Sequence, residues 1–123
     1  MEKKRILIAD DDESFLAALA LRFRKEGYDV ITTFDGYHAL AQAANKSPDM
    51  IILDVNMPCS SGFAVQERLR KLGWLIAPVI YITGEKSDRV EMFAKQFNAL
   101  AVFYKPLDTN ELLLMVKKAL AES

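Results

Sequence analysis

The amino-acid sequence predicts an α/β fold: a doubly wound, five-stranded parallel sheet with five flanking helices. Five short apolar runs recur at intervals of about 20 to 25 residues. The fullest of them lack the polar alternation of a half-exposed sheet, which is what strands covered on both faces require. The segments that separate and follow them carry their apolar residues at helical spacing.

The first strand is Ile6-Leu7-Ile8-Ala9. The helix expected over 14–26 sets Phe15, Leu19 and Phe23, with Leu16 beside them, on one broad apolar face, and Gly27 follows as its C-terminal stop. Val30-Ile31-Thr32 is the second strand, and 36–45 repeats the helical pattern through Ala39, Leu40, Ala43 and Ala44. Met50-Ile51-Ile52-Leu53 is the third, followed by a helix over 63–71 around Val65 and Leu69. After the fourth strand, Val79-Ile80-Tyr81-Ile82, a helix over 88–97 carries Val90, Phe93, Ala94 and Phe97, and Asn98 can end it in the left-handed conformation. Ala101-Val102-Phe103-Tyr104 is the fifth strand. The last helix starts at an Asp108 N-cap with Glu111 three positions on, then groups Leu113, Val116 and Leu120. Parallel neighbours need crossover connections, right-handed in nearly all folds, so helices cover both faces of an open sheet.

Length and composition agree. A chain of 123 residues predicts one domain spanning 1–123, and 51% hydrophobic with 27% charged residues is a globular balance. Sixteen basic against seventeen acidic side chains give a net charge of -1, with no overall attraction for nucleic acid or an anionic membrane. Only four apolar residues follow the charged N-terminus before three aspartates, too few for an export signal. The longest apolar stretch, 74–82, contains Pro78 and is too short to span a bilayer, so a soluble, cytoplasmic protein is expected. A single cysteine, Cys59, excludes an intrachain disulfide, and His38 cannot build a zinc site with it alone. Both read as passive surface residues. The short basic clusters around Lys3, Arg22, Arg68 and Lys117 read as solvated faces. Trp74 and Leu75 can pack beneath the fourth strand or form a contact surface.

The chemistry lies where the apolar runs stop. Asp10, Asp11 and Asp12 follow the first, Asp54 the third, Thr83 the fourth and Lys105 the fifth. In an open parallel sheet these carboxyl ends share one edge, where ligands bind. Taken singly, Asp12 is a helix cap, Asp54 a turn aspartate, Thr83 a turn hydroxyl and Lys105 a solvated side chain. Taken together, the carboxylates repel by roughly 4 kcal/mol per pair at about 4 Å and an effective dielectric near 20, so the cluster demands cations. Lys105 supplies one. A hard ion such as Mg²⁺ suits the oxygen donors, shares its sites with phosphate, and leaves a carboxylate free to act as nucleophile.

Four motifs in order, Ile-Leu-Ile-Ala-Asp10-Asp11-Asp12, Ile-Ile-Leu-Asp54-Val-Asn56-Met57-Pro58, Val-Ile-Tyr-Ile-Thr83-Gly84 and Phe-Tyr-Lys105-Pro106, resemble the receiver domain of bacterial two-component response regulators across essentially the whole chain. The resemblance implies strand order 2-1-3-4-5, the flavodoxin-like arrangement. It implies Asp54 as phosphoacceptor. Mg²⁺ would be held by Asp11, Asp54 and the Asn56 carbonyl, with Asp10 acting through water. It further implies Lys105 and Thr83 as phosphoryl-oxygen partners, Gly84 as the space for that approach, and a cis Lys105–Pro106 bond. The implied function is a phosphorelay switch that takes its phosphoryl group from a histidine kinase or phosphotransfer protein and alters partner binding. It would be no enzyme beyond promoting its own phosphorylation and dephosphorylation. Asn56 and Glu85 occupy positions resembling those that tune hydrolysis, which predicts a phosphoform lasting seconds to minutes. Phe15, Ala18 and the Pro106-Leu107 loop resemble the kinase-facing surface.

One departure stands out. Val102 replaces the aromatic residue usual three positions before the lysine. Tyr104, on the same side of the strand, is the available substitute. Competing readings are a receiver-shaped scaffold working without phosphorylation and a small aspartyl phosphatase. The latter lacks a second acid, since Asn56 stands two residues beyond Asp54. A flavodoxin-like electron carrier is disfavoured by aspartates where FMN phosphate would bind. The output domain or target, and whether the native chain runs past Ser123, are left open by the sequence.

Overall fold

The computed structural model describes residues 3–73 and 77–121. Strand and helix alternate as β1(Arg5–Ala9), α1(Glu13–Lys25), β2(Asp29–Thr33), α2(Gly36–Lys46), β3(Met50–Asp54), α3(Gly62–Lys71), β4(Val79–Thr83), α4(Asp88–Gln96), β5(Ala101–Tyr104) and α5(Thr109–Ala121). All five strands are parallel, in order β2-β1-β3-β4-β5. Every expected element is present, with ends shifted by a residue or two because caps and ladder bonds, rather than apolar character, set them. Strand β3 thereby includes Asp54 itself. The expectations for Trp74 and Leu75 lie outside the described residues.

Caps stop and start the helices. The Asp12 carboxylate accepts the Phe15 N–H at 3.1 Å, and Asp108 accepts that of Glu111 at 3.1 Å. Asp35 and Ser61 serve α2 and α3 in the same way. Gly27 (φ 96°) and Asn98 (φ 55°) take the left-handed conformations that release the chain into β2 and β5. His38 is exposed and paired with its own cap, Asp35. Cys59 is exposed in the loop after β3.

Side chains divide by strand alternation into two cores. One face holds Ile6, Ile8, Ile52, Ile80 and Ile82 under α1 and α5; the other holds Leu7, Ile51, Leu53 and Tyr81 under α2, α3 and α4. Among the described residues no helix is long and apolar enough to cross a membrane.

The second core contains a polar pair unforeseen from sequence. Tyr81, fully buried, donates its hydroxyl proton to Gln66 Oε1, and Gln66 Nε2 donates to the Phe97 carbonyl at 3.0 Å. The phenol is pushed above its ordinary range by burial. Gln66→Ala would leave both partners buried without a bond and is expected to lower stability by about 2 kcal/mol in urea unfolding. A midpoint equal to wild type would show that neither bond matters.

Candidate functional site

The site lies at the carboxyl edge of the sheet, where β1 separates from β2 on one side and β3 on the other. Asp10 leaves β1 fully buried, and its Oδ1 accepts the Asp12 N–H at 2.9 Å. That bond aims the other oxygen, Oδ2, into the crevice, where it meets the Lys105 ammonium and accepts from no other described residue. Asp54 ends β3 at 5% exposure. Asp11 faces solvent beside them. One carboxylate oxygen from each of Asp10, Asp11 and Asp54 lies within 4.8 Å of the other two.

Lys105 enters from the far side. Its backbone N–H donates to the Thr83 carbonyl at 2.8 Å, and the Lys105–Pro106 bond is cis. The ammonium sits 2.8 Å from Asp10 Oδ2 and 3.6 Å from Asp54 Oδ2. Its Nζ also lies 4.6 Å from the centroid of the Phe15 ring, so the aromatic residue of α1 helps fix the charge over the carboxylates. Burial opposes the Lys105 charge, but the Asp10 and Asp54 carboxylates outweigh it and hold the ammonium above its ordinary range. Burial first, and the neighbouring Asp10 second, raise the Asp54 carboxyl to about 7 against the pull of Lys105. Three carboxylates facing one ammonium, with Asp10 Oδ2 given no donor but Lys105 among the described residues, fit a hard divalent cation.

Of the residues singled out from sequence, Asp10, Asp11, Asp54 and Lys105 converge directly. Asn56 and Thr83 adjoin them. The Asn56 N–H donates to Asp54 Oδ1 at 3.2 Å, and Thr83, fully buried at the end of β4, accepts the Glu85 N–H on its hydroxyl oxygen at 2.9 Å. A Cβ at Gly84 would meet nothing within 4 Å, so protein packing does not require that glycine. At Gly62 the reverse holds: a Cβ would come within 2.5 Å of the Asp54 carbonyl oxygen, and the glycine lets α3 start against the acceptor strand.

Arg89 escaped the sequence reading. It lies on α4, four residues after Glu85, and pairs with it at 2.6 Å through Nε and 2.8 Å through Nη2, while Nη2 also reaches Asn56 Oδ1 at 3.0 Å. The i,i+4 acid-base spacing was the available signal. Arg89 first, then Ser87 and Asn56, hold the Glu85 carboxyl down at about 2. Val102 and Tyr104 do share one face of β5, with Phe103 on the other, and the Tyr104 hydroxyl donates to Glu91 of α4.

A family model described as the response regulator receiver domain matches residues 6–117. The alkaline phosphatase synthesis transcriptional regulatory protein PhoP of Bacillus subtilis is 34% identical over 120 residues, covering 98% of this chain and 50% of that protein. The transcriptional regulatory protein KdpE of Mycobacterium tuberculosis is 38% identical over 116 residues, covering 93% and 50%. The chain thus spans about half the length of these two relatives. Among solved structures, a CheY-like receiver domain protein from Methanospirillum hungatei superposes with a TM-score of 0.90 at 30% identity, covering 98% of this chain and 96% of that one. The chemotaxis protein CheY4 of Vibrio cholerae gives 0.87 at 30% identity, covering 95% and 98%.

Proposed function

The chain belongs to the response regulator receiver domain family of two-component systems, and on that premise we propose that it is a switch that accepts a phosphoryl group on Asp54. The observation that carries the reading is the meeting of Asp10, Asp11, Asp54 and Lys105 at one sheet edge, three acids against one cation, with the buried Asp10 Oδ2 held by Lys105 alone among the described residues. Asp11, Asp54 and the Asn56 carbonyl would hold Mg²⁺, with Asp10 oriented toward it. Bound there, the ion supplies charge neutralisation for the carboxylates and for phosphate oxygens.

In the transfer, an Asp54 carboxylate oxygen forms the bond to phosphorus as the donor's bond breaks, and the electron pair leaves with the donor. Lys105, already aimed at Asp54, stabilises charge on the transferred group. Thr83 donates its hydroxyl proton to a phosphoryl oxygen while its oxygen goes on accepting the Glu85 amide. Water later hydrolyses the acyl phosphate.

The donor is a sensor histidine kinase or phosphotransfer protein acting in the cytoplasm; residues 1–123 form the receiver domain, and that domain turns over no substrate of its own. The phosphatase reading is not favoured: Asn56 holds the place of the second acid, and its amide is engaged by Glu85 and Arg89. Incubation with acetyl phosphate and Mg²⁺ is expected to add the mass of one phosphoryl group, seen by intact mass spectrometry. Asp54→Asn or chelation abolishes the gain. An unmodified wild type would end this reading.

A further inference from the structure

We propose that Arg89 is a positioning residue that prolongs the acyl phosphate on Asp54, by locking the side chains of Asn56 and Glu85 into a closed ring that withholds both from the hydrolytic water. The inference rests on Asp54 being the acceptor.

The ring is complete. Glu85 Oε1 accepts from Arg89 Nη2 at 2.8 Å and from Asn56 Nδ2 at 3.0 Å; Oε2 accepts from Arg89 Nε at 2.6 Å and from the Ser87 hydroxyl. Asn56 Oδ1 accepts from Arg89 Nη2 at 3.0 Å. A donor-only guanidinium on one side and an acceptor-only carboxylate on the other leave a single consistent orientation for the Asn56 amide. The guanidinium carbon lies 5.8 Å from the Phe63 ring centroid, which steadies the arginine from behind. Both ends of the ring are tied to the reacting centre, through the Asn56 N–H on Asp54 and the Glu85 N–H on Thr83.

Hydrolysis needs a water oriented on phosphorus. Its oxygen forms the new P–O bond, the bond to Asp54 breaks with the electron pair staying on the carboxylate, and the water's proton passes to solvent. A side chain that orients this water must offer it a free acceptor. Asn56 Oδ1 and both Glu85 oxygens are the side-chain acceptors tied to this rim, and Arg89 occupies all three. With Arg89 removed, Asn56 Oδ1 is free and each Glu85 oxygen keeps only one donor. An exposed i,i+4 ion pair contributes little to stability, so the effect is on rate and not on folding.

The test phosphorylates wild type, Arg89→Ala and Arg89→Lys with acetyl phosphate and Mg²⁺, removes the donor, and follows the phosphorylated fraction by intact mass. Arg89→Ala is expected to lose its phosphoryl group about 3 to 10 times faster, a modest share of what an oriented general base contributes. Its rate of acceptance and its melting temperature stay at the wild-type values. Arg89→Lys falls between, because a point charge cannot bridge both partners. Replacing Asn56 and Glu85 by Ala in the Arg89→Ala background removes the acceleration. Decay of Arg89→Ala equal to or slower than wild type overturns the inference alone, whereas a wild type that accepts no phosphoryl group overturns the underlying reading and this one with it.

Discussion

Stripped of divalent cations, the protein is expected to become less stable as pH rises from about 4 to about 7, and Asp54→Asn is expected to remove that loss. Asp54 is 5% exposed and shares its crevice with Asp10, so its folded-state carboxyl binds a proton more tightly than the same group in the unfolded chain. Between the two values the native state holds the extra proton. Stability is therefore fully present at the acid end of the window, and it falls as pH climbs through the folded value. The raised value corresponds to roughly 4 kcal/mol, an upper bound because local relaxation around the ionised group lowers the cost. Other carboxylates titrate in the same range, so the quantity to measure is the difference between wild type and Asp54→Asn in urea unfolding at about pH 5 and about pH 8. With chelator the variant should gain on wild type as pH rises. Saturating Mg²⁺ stabilises wild type most at the alkaline end, where the carboxylates are ionised, and stabilises Asp54→Asn less. A constant difference across the range would mean that Asp54 carries no unrelieved charge.

How much of this was legible in the sequence depends on what kind of information each feature needs. The sheet was readable because Leu7, Ile52 and Ile80 sit in strands buried on both faces, so apolar character marks them without regard to partners. The meeting of Asp10, Asp54 and Lys105 followed from topology alone, since parallel strands bring their carboxyl ends together. Asp12, Asp108 and Asn98 announced themselves by position, because caps are local devices. Features that require knowing which side chain meets which were hidden. Gln66 reads as a polar helix residue until Tyr81 and Phe97 arrive from other elements. Phe15 reads as part of an apolar helix face and, by resemblance, of the kinase-facing surface; that Lys105 lies over its ring was not legible. Arg89 pairs with Glu85 by spacing, but its reach to Asn56 depends on how two loops approach. Crossover chirality could be inferred from the alternation, and strand order came from the family resemblance; inter-loop distances of a few ångström could not be read from either.

Lys105→Ala is expected to slow phosphoryl acceptance from acetyl phosphate by about 10²-fold at saturating Mg²⁺, the scale of losing one charged stabiliser of a developing oxyanion. It is also expected to destabilise the metal-free protein by about 3 kcal/mol at neutral pH, because the buried Asp10 carboxylate then loses its ion-pair partner. The two effects have separate origins. The kinetic loss comes from the charge 3.6 Å from the Asp54 oxygen, while the stability loss comes from the contact at 2.8 Å with Asp10 Oδ2, an oxygen with no other donor. Mg²⁺ should recover most of the stability, since it returns positive charge to the crevice, and little of the rate. Lys105→Arg separates charge from shape: the Phe15 ring packs against a compact ammonium 4.6 Å away, and a planar guanidinium of greater length cannot occupy that place with the same aim. Arginine should therefore keep most of the stability and remain slow. Acceptance by Lys105→Ala within about threefold of wild type would mean that the metal ion alone supplies the electrostatic stabilisation and that the lysine serves only to neutralise Asp10.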